Sequence, residues 1–148
     1  MTARNFKGEK YTKGYQTSAD LAKAIRTDIA IAKKGTILPK TLKVSVRKND
    51  YSMGRSITIN IKQLPEGMNA LHPEYVKWMK ANPNGYRSDF LDANLSLKSH
   101  LSLELMQIIK TLKKLGNAYN YDNSDVMTDY FDVDYYLQIE SYEVMEEK

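Results

Sequence analysis

The chain has 148 residues, 22 Lys/Arg against 18 Asp/Glu and a net charge of +4, a length that suits one domain with a sizeable core. With no cysteine it has no disulfides, no thiolate chemistry and no sulfur-based zinc site. No apolar run approaches the roughly 20 residues of a membrane helix, and the polar start MTARNFKGEKYTKGY does not read as a signal peptide, so a soluble protein of a reducing cytoplasm is expected.

Residues 1–16 read as an extended arm. A helix is predicted from Thr17 or Ser18, either of which can cap it, through Lys34, with Asp20 near its positive end and Gly35 just past its last turn. Leu21, Ile25, Ile29 and Ala32 form its buried stripe, while Lys23, Arg26 and Lys33 lie on the other side. The period then switches to two. Leu42, Val44 and Val46 alternate with Lys43, Ser45 and Arg47, and Ile57, Ile59 and Ile61 alternate with Thr58, Asn60 and Lys62. The turn chemistry of 49–54 joins them as an antiparallel hairpin, with a basic second face of Lys43, Arg47, Thr58, Asn60 and Lys62.

Pro65 and Gly67 end the hairpin. Pro73 suits a first helical position and opens a short helix to about Ala81, on which Trp78, Tyr75 and Met79 form an apolar edge. Residues 82–94 read as loop. A helix from about Leu101 to Leu115 follows, with Leu101, Leu105, Ile108, Ile109, Leu112 and Leu115 on one face and Gly116 as its stop. A last strand is predicted over 129–142, with Phe131, Val133, Tyr135, Leu137 and Ile139 facing inward. The expected fold is a single α+β domain in the order α-β-β-α-α-β. It has a small antiparallel or mixed sheet of about three strands, two long helices on one face, and a fraying tail over 143–148.

Charge is unevenly distributed. Residues 1–64 carry 14 Lys/Arg and 4 Asp/Glu, a net +10; residues 65–116 carry 7 and 5; residues 117–148 carry 1 and 9, a net −8. Within the last segment, 117–136 places five aspartates and six aromatics in twenty residues. Aspartate is disfavoured in strands, and clustered carboxylates repel unless a cation or a basic surface meets them. This points to a binding surface made of Tyr119, Tyr121, Asp122, Asp125, Asp129, Tyr130, Asp132 and Asp134. The plainer reading is that the aromatics pack and the aspartates cap turns or pair with Arg26, Arg47 or Arg55.

Three stretches carry a resemblance: Thr17–Arg26 (TSADLAKAIR), Lys43–Ile57 (KVSVRKNDYSMGRSI) and Tyr119–Tyr136 (YNYDNSDVMTDYFDVDYY). Together they resemble the large polyvalent-protein-associated domain family of phage and plasmid proteins, the third stretch most specifically. Residues 65–100 match no part of it and read as an insertion. The resemblance implies an α+β domain carried by mobile genetic elements, of a kind thought to help incoming DNA survive in a new host. It transfers no catalytic residue.

The functional expectation is a non-enzymatic phage or mobile-element accessory protein in the host cytoplasm, a counter-defence inhibitor binding a host protein complex. The alternative is a nucleic-acid-binding module using the basic helix and the hairpin residues Lys43, Arg47, Lys48, Arg55 and Lys62, of which the arginines can bind phosphate bidentately. A second alternative is a metal-dependent nuclease-like enzyme. Asp132 and Asp134 lie two apart on one strand face, with Asp125 or Asp129 near, and Lys43 would be the cationic partner. No calcium-loop frame, phosphate loop or nucleophile elbow occurs. His72 and His100 read as surface or capping residues. No cofactor, metal or membrane partner is expected, and the exposed hairpin edge is open to a second copy of the chain.

Overall fold

The computed structural model describes residues 4–11, 16–52, 54–93, 100–124 and 134–145. Its elements in chain order are β1 (Arg4–Lys7), α1 (Ser18–Lys34), β2 (Lys43–Tyr51), β3 (Gly54–Gln63), α2 (Pro73–Ala81), α3 (Arg87–Ala93), α4 (Leu103–Gly116), β4 (Tyr121–Ser124), β5 (Tyr136–Glu140) and α5 (Tyr142–Met145). No described helix is long and apolar enough to cross a membrane.

The main sheet has the order β2-β3-β5. The hairpin β2/β3 is antiparallel, whereas β5 joins the other side of β3 in parallel. The α+β class with a small mixed sheet is thus as the alternation of the sequence suggests. A parallel neighbour cannot be reached by a tight turn. Residues 64–135 supply the long connection, and α4 packs against the sheet within it.

Thr17 caps α1, its Oγ1 accepting from the Asp20 amide at 3.1 Å. The inward stripes of α1 (Leu21, Ile25, Ile29, Ala32) and α4 (Leu105, Ile108, Leu112) share one core with Val46, Ile57, Ile59, Ile61 and Tyr135. Each of the three β3 isoleucines, Ile57, Ile59 and Ile61, is completely buried, worth about 1.5–3 kcal/mol of transfer free energy apiece. Both long helices therefore cover the same sheet face. Leu137 and Ile139 complete that face from β5.

Five features depart from the sequence reading. First, β1 pairs antiparallel with β4 in a second, two-stranded sheet, so the N-terminal arm is a strand with a partner more than a hundred residues away. Second, α3 occupies part of the segment read as loop; Asp89 Oδ2 accepts from the Tyr86 amide at 3.1 Å and orders its first turn. Third, the last strand is shorter than predicted: β5 begins at Tyr136, and residues 125–133 lie outside the described residues.

Fourth, Glu143 belongs to α5 and not to a fraying tail. It accepts from Asn60 Nδ2 at 2.8 Å and pairs with Lys62 at 3.0 Å. Fifth, Gly116 does not end α4 by a left-handed turn. It is the last helical residue, buried, and a Cβ there would sit 2.8 Å from both Leu137 methyls and 3.0 Å from Ile59 Cδ1. Its value is close helix-to-sheet approach.

The segment 65–100 holds a separate aromatic cluster. Tyr75 meets Trp78, Phe90 and His100 with ring centroids at 6.4, 5.1 and 5.2 Å. Of α2 no residue is buried, and Phe90 alone of this cluster is. Trp78 therefore anchors this small unit and not the main core. His72 caps α2 through Nδ1, and the unit is tied to the body by the Leu71–Leu101 bridge with its flanking bonds, His72 N to His100 O and Ser102 N to Ala70 O.

Candidate functional site

Tyr119, Asn120, Asp134 and Tyr135 of the acidic aromatic segment make internal hydrogen bonds. Tyr119 donates from its hydroxyl to Asp28 Oδ2 at 2.6 Å, and Lys10 Nζ reaches the same oxygen at 3.0 Å. Asp28 lies on the buried stripe of α1, which the sequence reading assigned to apolar residues alone. Burial, and then the bond to Asp28, raise the Tyr119 hydroxyl above its ordinary value, and the Asp28 carboxylate raises Lys10.

Asn120 is the second pin. Its side chain accepts from the Tyr121 and Tyr135 amides at 2.9 and 3.1 Å and donates to the Tyr135 carbonyl at 2.8 Å. Tyr135 is itself buried and donates to the Gly116 carbonyl, and burial pushes its hydroxyl far up. Tyr121 packs edge-on against Tyr11, with ring centroids at 5.0 Å. This network joins α1, α4, β4 and the segments just after β1 and just before β5 at one corner of the fold. Asn120 was missed in the sequence; the spacing Tyr-Asn-Tyr gave no sign that the amide, and not the rings, would satisfy the backbone.

Arg55 forms the third pin. It is 7% exposed and donates from Nη2 to Asp134 Oδ1 at 2.6 Å, from Nε to the Asp134 carbonyl at 3.1 Å and from Nη1 to the Gln16 carbonyl at 2.5 Å. Ser18 Oγ, 3.4 Å from Arg55 Nη1, donates to Asp50 Oδ1 at 2.5 Å, and Lys48 pairs with Asp50 at 2.9 Å. Ser18 and then Lys48 hold the Asp50 carboxyl below its usual range. Arg55 and Asp134, candidates for two different binding surfaces, instead meet each other in a structural contact, as the plainer reading of aspartates paired with Arg26, Arg47 or Arg55 expects. Of the remaining acidic-segment residues, the backbone of Asp122 lies in β4 opposite Phe6, while Asp125, Asp129, Tyr130 and Asp132 lie outside the described residues. The carboxylate set considered for a metal shares that position, with Asp134 alone described.

Alternation along the hairpin explains why its cations divide. Arg47 pairs with Thr58 in the register and Arg55 with Asp50, so one arginine lies on the outer face of the sheet and the other on the helix side. Lys48 falls on the helix side too, opposite Ile57. The outer face is crossed by the rows Asn49–Ser56–Tyr136 and Arg47–Thr58–Gln138, with Tyr51 opposite Gly54 at its end. It is less basic than expected. Arg47 meets Glu140 at a loose 4.0 Å, and Lys62 pairs with Glu143, whose carboxyl Lys62 and Asn60 hold below the usual range. Lys43 is exposed at the start of β2.

What this face offers is two rings. Tyr51 and Tyr136 are each 45% exposed, on the two edge strands, with Asn49 and Ser56 between them and Arg47, Thr58 and Gln138 in the next row along the face. From strand spacing and rise their Cα atoms are about 12 Å apart, so each ring can take a separate planar group. The Tyr51 ring lies across Gly54, where a Cβ would be 3.1 Å from Tyr51 Cε2; the absent side chain leaves a flat bed that props the ring. Neither helix of the main core covers this side, and α5 reaches it only at the Asn60 end. Among the described residues no group of three His, Asp or Glu side chains gathers in metal-binding proximity. No family model, no curated protein and no solved structure matches the chain.

Proposed function

We propose that this protein is a binding module for single-stranded nucleic acid, an accessory protein without catalytic activity that uses the outer face of the β2-β3-β5 sheet. The observation that carries this reading is the pair Tyr51 and Tyr136, half-exposed on a sheet face that the long helices leave open, with the 66% exposed guanidinium-bearing side chain of Arg47 in the row next to Tyr136. Aromatic rings on an open sheet stack unpaired bases at about 1–3 kcal/mol per base, and amide and hydroxyl groups between the rings meet base edges. The pairs Arg47–Glu140 and Lys62–Glu143 are solvent-exposed and screened by water and salt, so phosphate competes for their cations at little cost. The mobile-element setting rests on the family resemblance of residues 17–26, 43–57 and 119–136.

Fluorescence anisotropy with labelled 20-nucleotide strands of mixed sequence tests the proposal. Tyr51→Ala with Tyr136→Ala should weaken binding at least tenfold with the fold intact by circular dichroism, and Arg47→Glu should weaken it further. Unchanged affinity in the double variant, or no binding by the native protein at 50 mM salt, rejects it.

A second reading, a counter-defence inhibitor that binds a host protein complex, is favoured by the net charge of −8 over residues 117–148. With Tyr119, Tyr121 and Asp134 engaged internally, it now depends on Asp122, Asp125, Asp129 and Asp132. Retention of a specific protein complex after nuclease treatment of a bacterial lysate, abolished when those four aspartates become asparagine, would replace the first reading with the second.

A further inference from the structure

The opposite side of the molecule carries a different kind of surface. The outward faces of α1 and α4 hold Lys23, Arg26, Lys33, Lys34, Lys110, Lys113 and Lys114 against two accessible carboxylates, Asp20 and Glu104, both in first helical turns. None of the seven cations has a carboxylate within ion-pair distance among the described residues, whereas Arg47, Lys48, Arg55 and Lys62 of the hairpin all do. Arg26 is partly occupied, donating to the Val46 carbonyl at 2.7 Å. Lys33, Lys34, Lys113 and Lys114 sit in last turns, where they also complement the helix dipole. Lys23 and Lys110 lie earlier and have no such local reason.

We infer that this helical layer is a second nucleic-acid surface, for the phosphate backbone of a duplex. Helical spacing sends Lys23 and Lys34 directly away from the core on α1, about 16 Å apart along the axis, and Lys110 and Lys114 away from it on α4, one turn apart. Helices packed side by side lie about 8–10 Å apart, so the four ammonium groups spread over a rigid patch of that width. Neither helix contains an aromatic residue, so the patch offers point charges without a stacking platform. Such a surface meets charge density and not bases, and a duplex, with one charge per about 1.7 Å of axis, is the denser polyanion. The inference goes beyond the sheet-face reading and does not depend on it. With both surfaces in use, the protein would sit where duplex and single strand adjoin.

The test compares a labelled 20-base-pair duplex with the 20-nucleotide strand by anisotropy, at several salt concentrations from 50 to 200 mM. The native protein should bind the duplex, with affinity falling about a hundredfold over that range if some four phosphates are engaged. Replacing Lys23, Lys34, Lys110 and Lys114 by glutamine should weaken duplex binding at least tenfold and flatten its salt slope by roughly 0.9 for each phosphate no longer neutralised, while strand binding persists. Lys23→Gln with Lys110→Gln leaves both helix C-termini intact and serves if the fourfold variant does not fold; it should show about half the slope change. Tyr51→Ala with Tyr136→Ala should leave duplex binding unchanged. Absence of duplex binding at 50 mM salt, or an unaltered salt slope in the lysine variants, overturns the inference whatever the strand does. Failure of the tyrosine variant to bind either ligand also overturns it, since one surface would then serve both. Duplex binding with no strand binding supports it and rejects the sheet-face reading alone.

Discussion

Arg55 and Asp134 stand 79 positions apart in the chain and meet at 2.6 Å, closing the basic front of the sequence onto its acidic end. The guanidinium is almost fully enclosed, so its partners compensate a desolvation cost of several kcal/mol.

Removing one partner should therefore hurt more than removing both. Asp134→Ala should cost about 2–3 kcal/mol in urea unfolding, less than a fully buried pair because Asp134 keeps some exposure. Arg55→Met with Asp134→Ala should cost less than the sum of the single changes, with a coupling of at least ~1 kcal/mol. Strict additivity would show that the contact contributes nothing as a pair.

Stability should form a plateau against pH. Tyr119 and Tyr135 are raised in the fold above their ordinary 10.0, mainly by burial, so their contribution is complete below pH 10 and is lost as pH rises and the unfolded chain ionises first. Asp50 and Glu143 are lowered from 3.8 and 4.5, so their contribution is complete above those values and is lost as pH falls below them. Burial, and then the nearby Arg87, lower His100 from 6.5, so its contribution is complete above that value and is lost below it; a Tm flat between about pH 7 and 9 and falling on both sides is expected. Tyr119→Phe should shrink the alkaline fall and lower the plateau by about 1–2 kcal/mol, because buried Asp28 loses a donor. An alkaline limb of the same size in that variant would exclude Tyr119 as its source.

Gly116→Ala should destabilise the protein although alanine is the better helix former by about 1 kcal/mol. The added methyl meets Leu137 and Ile59 inside a packed region, an overpacking cost of about 1–3 kcal/mol. Adding Leu137→Val should recover part of the loss. A higher Tm for Gly116→Ala alone would refute the close-approach argument.

Trp78 gives a local probe, being the only tryptophan. Its aromatic cluster is separate from the main core, and among the described residues the Leu71–Leu101 bridge and its flanking hydrogen bonds tie it to the body. Its fluorescence should change at lower urea than the helical circular dichroism, as expected for a sub-global opening. Coincident transitions would mean that α2 and α3 unfold only with the rest.

Ser45→Ala should be neutral or stabilising by up to about 1 kcal/mol, since the Ser45 hydroxyl is enclosed with no hydrogen-bond partner among the described residues. A clear drop in Tm would reveal a bond that the hydroxyl makes.

The sequence by itself determined the amphipathic elements. Thr17 as a cap, the stripe Leu21–Ile25–Ile29–Ala32, the alternation around Val46 and Ile59, and Pro73 as a helix start are local signals read over a few residues, and each element follows from period or capping alone. Tertiary structure decided which charges are free. Whether Arg55 faces solvent or Asp134, whether Lys62 meets Glu143, and whether Tyr119 is a contact surface or a donor to Asp28 depend on pairings between residues 79, 81 and 91 positions apart. The same holds for β1, whose four residues have no pattern of their own and become a strand only because β4 satisfies their backbone. Local periodicity records which side of an element is buried. It carries no information on which distant side chain will neutralise a charge on the other side, and at this protein's surfaces that neutralisation separates structural ions from those left to bind.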